Sequence, residues 1–501
     1  MNKPISSVAP LGATARRTSA RSRLLSGPVF CLVGALLLTA CGGGSSSGAT
    51  PTPTPGTTSF TGNVILGTPT ATSIHANVYT PDQSGEAWVV LGTASGSYER
   101  QSTPVRLSAG QPVDLLLDGL SANTRYYYRL YFKPQGASEG SPGNEYSFQT
   151  ARPSGASFVF GVQGDSHPER LRSQFDPDLY TRTLLTVAAD RPDFYLMLGD
   201  DFSVDTLDAA TITADQVRGR YTLQRPYLGL LGRQAPIYLV NGNHEQAAAY
   251  VHDGTPNNVA VWAQNGRNSL YAQPAPDAFY SGNSNPVSYI GLLRNYYAWT
   301  WGDALFVVID PYWHSPVPVD NVFGTGPKRT DMWQVTHGDA QYRWLKATLE
   351  GSRAKYKFVF AHHVMGTGRG GIELAKLWEW GGQSQNGLVD FPTQRPNWTE
   401  PLHQLMARTG VSIFFQGHDH VWVRQQLDGV TYQTVSEPAD PNYTLWNGDA
   451  FQSGDKFPNT GYTRVSVSPT GVKVEYVRTY LPKDESASQV SGRPVFSYTL
   501  P

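Results

Sequence analysis

Beyond residue 155 the chain carries short, continuous runs of apolar residues in place of alternating ones. Runs of this kind are typical of strands that are buried on both faces of a sheet. Helices are predicted between some of them, including 339–355 with Asp339 as N-cap and 400–409 with Pro401 in the first turn. Buried strands that alternate with helices indicate an α/β core. The six apolar runs are 158–162, 194–198, 237–240, 305–309, 358–360 and 412–415.

The region before this core has a different pattern. Between residues 60 and 150, short strands rich in apolar and aromatic residues are separated by Gly, Pro and Asn, which predicts an all-β fold. The stretch from Leu120 to Tyr126 resembles the turn of fibronectin type III domains that holds a buried corner Tyr. We therefore expect a small fibronectin III-like β-sandwich over 59–151, followed by the α/β domain over 155–485. A spacer or docking role is favoured for the sandwich, and polysaccharide binding rests on fold analogy alone.

The first 58 residues are patterned as an export segment and a spacer. Four Arg residues, and no acidic residue, precede an apolar run at 29–38 that leads into Leu-Thr-Ala-Cys at 38–41. The run is too short to span a bilayer, so 1–41 is predicted to be an export signal. Its end resembles the lipobox of bacterial lipoproteins, in which the Cys, here Cys41, is lipidated. An exported, membrane-anchored lipoprotein is therefore expected, with simple secretion as the alternative and 42–58 as a Gly/Ser/Pro/Thr linker.

Charge and cysteine content narrow the function classes. The 39 basic and 40 acidic residues are interspersed and give a formal net charge of −1. This balance does not indicate a binder of duplex nucleic acid, which normally carries a basic face. Aromatic residues make up 12% of the chain, which is enough for an apolar core and excludes global disorder. Cys31 lies inside the predicted signal and Cys41 at its end, so the mature chain has no thiol for a disulfide.

Polar residues with metal-binding or catalytic side chains follow five of the six apolar runs. Because loops leave the carboxyl ends of parallel strands at one edge of a sheet, these residues are expected to lie together. A lone His is usually structural or exposed, and an Asp after a strand is often a helix cap. Five such segments share no explanation of that kind, so together they indicate a metal site. They are Gly164-Asp165-Ser166-His167, Gly199-Asp200-Asp201, Gly242-Asn243-His244-Glu245, Ala361-His362-His363 and Gly417-His418-Asp419-His420.

These five segments, in this order, resemble the calcineurin-like metallophosphoesterase family. The resemblance covers about 155–480, and the preceding sandwich is similar to the arrangement of purple acid phosphatases and related bacterial enzymes. It implies a metallophosphoesterase-type β-sandwich core flanked by helices. Asp165-x-His167 departs from the purple type, as does Ser203, where that type has a Tyr metal ligand. The visible charge-transfer absorption of a Tyr bound to iron should therefore be absent.

The resemblance also implies two metal ions that share one carboxylate. Mixed oxygen and nitrogen ligands suit Mn, Fe, Zn, Co or Ni, and seven protein ligands leave positions open for water and substrate. Two such ions can generate a hydroxide for attack on phosphorus. One ion is expected on Asp165, His167 and His420, the other on Asn243, His362 and His418, with Asp200 as the catalytic bridge.

Other residues of these segments receive roles around the metals. His244 follows an Asn ligand and is expected at the rim, where it contacts a phosphoryl oxygen or protonates the leaving group. His363 is expected behind the ligands, with an exchange of roles with its neighbouring His as the alternative. Arg369 is either a phosphate clamp or an ordinary surface residue. Glu245 and Asp419 are expected to accept hydrogen bonds from ligand imidazoles.

The leading functional expectation is hydrolysis of phosphate esters outside the cytoplasm, with monoesters favoured. A phosphodiesterase or nucleotidase is the nearest alternative because the same ligands serve both reactions. A non-catalytic surface binding protein on this scaffold is a third, which the complete ligand set disfavours. The expected partners are a phosphorylated small molecule or polymer end, and the membrane through the N-terminal lipid, with no nucleic-acid-binding face evident.

Overall fold

The structure is a computed structural model that describes residues 59–326, 331–364 and 368–501. The predicted signal over 1–41, the linker over 42–58 and Cys41 lie outside the described residues. Within the described stretches, every helix is too short or too polar to cross a membrane.

The alternating pattern before residue 150 forms a two-sheet sandwich. Its sheets run in the orders β1-β2-β6 and β4-β3-β7-β8, with β5 beside β3, and all pairs are antiparallel. The hydroxyl of the buried Tyr126 accepts a hydrogen bond from the N–H of Ser121 at 2.9 Å, as the predicted corner requires. The likeness to fibronectin type III domains stays a prediction. The strands are β1 (Asn63–Gly67), β2 (Ile74–Tyr79), β3 (Gly85–Gly92), β4 (Arg100–Gln101), β5 (Val105–Leu107), β6 (Val113–Leu117), β7 (Arg125–Pro134) and β8 (Ser141–Gln149).

The rest of the described chain contributes sixteen strands to larger sheets and one small ribbon. They are β9 (Phe158–Gln163), β10 (Phe194–Met197), β11 (Ile237–Leu239), β12 (Ser281–Gly282), β13 (Pro286–Val287), β14 (Gly291–Leu292), β15 (Tyr297–Trp301), β16 (Ala304–Val308), β17 (Tyr356–Phe360), β18 (Ile413–Gln416), β19 (Trp422–Leu427), β20 (Val430–Thr434), β21 (Asp455–Phe457), β22 (Gly461–Ser468), β23 (Gly471–Arg478) and β24 (Arg493–Leu500). One sheet has the order β11-β10-β9-β22-β23-β24, and the other β12-β15-β16-β17-β18-β20-β19-β21.

The six apolar runs form two trios of parallel strands, one in each of these two sheets. β9, β10 and β11 are parallel neighbours in the first sheet, and β16, β17 and β18 are parallel neighbours in the second. Between the sheets lies a core of aromatic rings, in which Phe160 contacts Phe194, Phe306 and Phe358 at centroid distances of 5.1–5.6 Å. Parallel pairing places the carboxyl ends of each trio at one edge of its sheet, where the predicted site residues begin.

Eight helices cover the outer faces of the described sheets. Their apolar sides bury residues such as Leu184 on one sheet and Leu345 on the other, so the predicted class, an α/β sandwich flanked by helices, is confirmed. The first helix begins with Pro177 after Asp176, whose side chain accepts the N–H of Leu179 at 3.0 Å. The helices are α1 (Pro177–Ala189), α2 (Ala214–Leu223), α3 (Arg225–Gly232), α4 (Val259–Leu270), α5 (Gly338–Gly351), α6 (Trp378–Gly381), α7 (Phe391–Gln394) and α8 (Leu402–Arg408). α1–α4 contribute to the core on the six-stranded sheet, and α5–α8 to the core on the eight-stranded sheet.

The structure differs from the predicted boundaries at two places. The boundary at 485 leaves out β24, which pairs with β23 and completes the six-stranded sheet. Asp339 does not cap α5, because the cap is His337. Instead, the Asp339 carboxylate accepts the indole N–H of Trp398 at 2.8 Å.

A buried arginine joins the N-terminal sandwich to the helical layer. Arg225, at the start of α3, donates to the side-chain oxygens of Asn77 at 2.7 Å and Asn63 at 3.0 Å. It also donates to the carbonyl of Leu270, and its side chain is fully buried. Buried cations require such partners, so Arg225 forms a set of polar contacts in the interface between the sandwich and the α/β domain.

Candidate metal centre

The loops after β9, β10, β11, β17 and β18 bring the predicted ligands together at one end of the two sheets. Three overlapping groups of acidic and imidazole side chains form there, and within each group the potential ligand atoms lie within 4.8 Å of one another. The groups are Asp165, His167 and His420; His167, Asp200 and His244; and Asp200, His362 and His418. All of these residues are buried except His244, which is partly exposed.

Asp200 lies between the other two groups. Its Oδ2 is 2.9 Å from Nε2 of His362, and Nε2 of His362 is 3.2 Å from Nδ1 of His418. On the other side, Oδ2 of Asp165 is 3.2 Å from Nε2 of His420. Because Asp200 also shares a group with His167, its carboxylate lies between the two clusters.

Asn243, next to His244 in the loop after β11, is the remaining one of the seven predicted ligands. Its side chain is buried, and neither its amide oxygen nor its amide nitrogen has a hydrogen-bond partner among the described residues. Nε2 of His167 is in the same state. Buried polar atoms are normally satisfied, so atoms like these indicate a ligand that they bind.

Close backbone approach holds the two carboxylates in place. Oδ1 of Asp200 accepts the N–H of His244 at 2.8 Å, and Oδ1 of Asp165 accepts the N–H of His418 at 2.7 Å. A Cβ atom at Gly242 would lie 2.3 Å from Oδ1 of Asp200, so only glycine allows this contact. The second carboxylate oxygen of each residue is thereby left to face the imidazoles.

Four of the seven predicted ligands have a left-handed backbone. The φ angles are 44° at His167, 52° at Asp200, 67° at His418 and 55° at His420. Each such residue costs about 1–3 kcal/mol and persists only where its surroundings fix it. At the centre, this backbone conformation aims side chains from short loops toward a common point.

Two carboxylates outside the predicted set orient imidazoles of the predicted ligands. Nδ1 of His420 is 2.8 Å from Glu437, and Nδ1 of His167 is 3.2 Å from Glu169. Nδ1 of His362 instead lies 2.7 Å from the carbonyl oxygen of Leu198. In each case the other ring nitrogen points into the centre, which is the arrangement found around metal-bound histidines. Glu437 follows β20, a parallel neighbour of β18, so its place after a buried strand is the sequence feature that could have identified it.

The roles expected for Glu245 and Asp419 are wrong. Glu245 accepts the backbone N–H groups of Asp201 at 2.7 Å and Gly242 at 2.8 Å. Asp419 accepts the N–H of Gly370 at 3.2 Å. Neither carboxylate accepts a hydrogen bond from an imidazole of the described residues. Each accepts a backbone N–H instead and so stabilises the conformation of a neighbouring loop.

His363 and Arg369 lie beside the second cluster. The ring of His363 is 4.6 Å from that of His418, and both of its nitrogens are buried without a hydrogen-bond partner among the described residues. It is His362, and not His363, that contacts Asp200. Arg369 donates to the carbonyl of His418 and lies 3.6 Å from Asp419, with its side chain 40% exposed.

His244 lies at the partly exposed edge of the centre. Nδ1 is 2.7 Å from Asp205, and Nε2 is 3.8 Å from Oδ2 of Asp200. The side chain is 18% exposed, and the Asn321 amide nitrogen lies 2.9 Å from its ring nitrogens. Burial lowers the pKa of His244, but the carboxylates of Asp200 and Asp205 outweigh it and raise the pKa.

A family model described as calcineurin-like phosphoesterase matches residues 158–422, more than half of the chain. The chain belongs to the calcineurin-like phosphoesterase family. No curated protein matches it. The phosphoesterase is a metal-dependent hydrolase of phosphate esters.

Two solved structures share the fold of this phosphoesterase. The structure of PhoD is 18% identical in sequence and has a TM-score of 0.58, over 85% of this chain and 88% of PhoD. The purple acid phosphatase PPD1 from seeds of yellow lupin (Lupinus luteus) is 15% identical and has a TM-score of 0.53, over 87% of this chain and 73% of that one. At these sequence identities, the comparison shows a shared fold and no more.

The donor set of the phosphoesterase fits divalent metal ions. Carboxylate, amide and imidazole ligands suit borderline ions, and the family uses divalent metals. Burial opposes the ionisation of Asp200, but the charges on His362 and His244 outweigh it and hold its pKa well below the usual range. Burial also lowers the pKa of His362, and Asp200 with Asp165 reverses this and raises it to about 10. The charges of Asp200 and His362 thus stabilise each other, and a metal ion bound there would displace the proton of His362.

Glu437→Gln should weaken metal binding by this phosphoesterase about 10–100-fold, because an amide orients His420 less firmly than a carboxylate does. The measurement is a competition titration against a chromophoric chelator. Glu475→Gln is the control, since Glu475 is a mostly buried carboxylate outside the centre that pairs with Arg464 at 2.9 Å. Equal affinity of wild type and Glu437→Gln would contradict a positioning role for Glu437.

Proposed function

We propose that this protein is an exported phosphomonoesterase with a two-metal centre. The position of Asp200 between two clusters of ligands carries the proposal, since one carboxylate can contact both ions only from such a place. Asp165, His167 and His420 would hold one ion, and Asn243, His362 and His418 the other. Two ions there would supply the Lewis acidity that activates a water nucleophile and offsets charge on the phosphoryl oxygens.

His244 and Asp205 are proposed as the proton-donating pair. The 2.7 Å contact to Asp205 fixes the ring and leaves Nε2 directed at the centre, 3.8 Å from Asp200. From there Nε2 can donate a proton to the leaving-group oxygen, as the general acid does in ester hydrolysis.

A preference for monoesters is supported by cationic side chains near the clusters. Arg170 lies beside His244 and Arg369 beside His418. A monoester carries about two negative charges near neutral pH, whereas a diester carries one, so added cations favour the monoester.

Metal-reconstituted protein lacking residues 1–58 should bind about two transition-metal ions per chain and hydrolyse phosphomonoesters faster than diesters. A chelator should abolish activity and Mn or a similar ion should restore it, because the proposed chemistry needs both ions. The measurements are elemental analysis and a panel of phosphomonoesters, diesters and nucleotides. Activity that persists without bound metal would contradict the mechanism, and faster diester cleavage would contradict the substrate class. A strong visible Tyr-to-iron band would contradict the assignment of Ser203 as a non-ligand.

Asp200→Asn and His244→Ala should separate metal binding from proton transfer. Asp200→Asn removes the charge shared by two cations, so metal content and melting temperature should both fall. His244→Ala should keep both near wild type while kcat falls about 10²–10⁴-fold, with a smaller loss for esters of good leaving groups such as nitrophenolate. Loss of metal from His244→Ala would contradict its place outside the ligand set. Equal losses for good and poor leaving groups would assign it to phosphoryl binding.

Export is proposed from the predicted signal over 1–41 and a lipid anchor from its Cys41. Cys41→Ser should move the protein from the membrane fraction to the soluble fraction, or leave its precursor uncleaved, because the acyl chains that anchor it could no longer be attached. Fractionation followed by mass measurement of the N-terminus tests this. Normal processing with unchanged membrane association would contradict the anchor.

A further inference from the structure

Arg170 places a guanidinium group at the edge of the metal centre. Its Nη2 is 3.0 Å from Oγ of Ser203 and 3.2 Å from Nε2 of His244, and its Nη1 donates to Gln174 at 2.6 Å. Its Nε lies 3.6 Å from Glu169. The side chain is 23% exposed, so the guanidinium is fixed by neighbours and still reaches solvent.

The atom that Arg170 contacts is the one that faces the centre. Nε2 of His244 lies 3.2 Å from the guanidinium and 3.8 Å from Oδ2 of Asp200. The guanidinium and the carboxylate therefore flank the same ring nitrogen. A phosphoryl group bound above Asp200 would have this cation within reach.

The residue at position 203 makes room for Arg170. Ser203 is fully buried, and its hydroxyl is in hydrogen-bond contact with the guanidinium. A large side chain in this position would occupy the space that Nη2 takes. The departure from the purple acid phosphatase pattern at Ser203 is thus linked to an arginine that no motif of the sequence identifies.

Arg369 is less suited to the same task. It donates to the backbone carbonyl oxygen of His418, lies 3.6 Å from Asp419, and has a side chain that is 40% exposed. The carboxylate near Arg170 is Glu169, which also accepts the N–H of Ser203 at 3.0 Å and contacts His167. Both arginines lie 3.6 Å from a carboxylate, so Arg170 is distinguished by its 3.2 Å approach to Nε2 of His244, which faces the centre.

We propose that Arg170 binds the non-bridging oxygens of the substrate and selects phosphomonoester dianions over diester monoanions. This proposal rests on the proposed function and names the group that sets its substrate class. An arginine fork matches two phosphoryl oxygens, and its charge interacts more strongly with a dianion than with a monoanion.

The test compares 4-nitrophenyl phosphate with its methyl diester, which shares the leaving group, on the full-length metal-loaded enzyme. Arg170→Gln should lower kcat/KM for the monoester about 10²-fold and for the diester less than about 10-fold, as expected for loss of a charged donor. Arg170→Lys should fall between, because it keeps the charge and loses the fork. The control is Arg172→Gln, an exposed arginine of the same loop, which should behave as wild type.

A second readout is the affinity for inorganic phosphate, measured by calorimetry on the metal-loaded proteins. Arg170→Gln should weaken it about tenfold or more while metal content stays at the wild-type level. Equal losses for both esters, unchanged phosphate affinity, or lost metal would each overturn the proposal. Lost metal would show that Arg170 supports His167 through Glu169. If wild type cleaves neither ester, the proposed function fails, and the phosphate affinity still decides the role of Arg170.

Discussion

Two buried carboxylates, Asp165 and Asp200, impose the constraint on which the centre depends. A buried charge is costly unless opposite charges and hydrogen bonds surround it. Each carboxylate receives one backbone N–H on Oδ1 and one imidazole on Oδ2. Three features contribute to this arrangement. Glycine at position 242 allows the close approach to Asp200, left-handed residues aim the side chains, and glutamates such as Glu437 orient the imidazoles.

The sequence predicts the seven clustered residues well because each lies within a few residues of a buried strand. Strand periodicity fixes where the strand ends, and parallel pairing fixes which edge of the sheet the ends share. Asp165 and His418 follow parallel strands of different sheets, so the same reasoning places each at the edge of its own sheet, and the packing of the two sheets brings them into contact. Their roles as ligands stay a prediction, although their proximity is observed.

The predicted roles are wrong where they depend on the direction in which a side chain points. Glu245 and Asp419 adjoin histidines in the chain, but neighbouring residues in an extended or left-handed segment point different ways. Their carboxylates therefore bond to backbone amides. Glu437 and Asp205 lie outside the five motifs, and only tertiary packing brings them to His420 and His244.

Metal binding and loop conformation are coupled by this geometry. Glu245 holds the loop of Asp200 through the N–H of Asp201 and the loop of Asn243 through the N–H of Gly242. The strained φ at Asp200 is thus stabilised by a carboxylate that contacts no imidazole. A bound ion would add electrostatic stabilisation to the same loops, and by mass action it would favour the folded state. The mature sequence is predicted to lack a disulfide. The strained loops are therefore held by the packing of the aromatic core together with the coupling between metal binding and loop conformation.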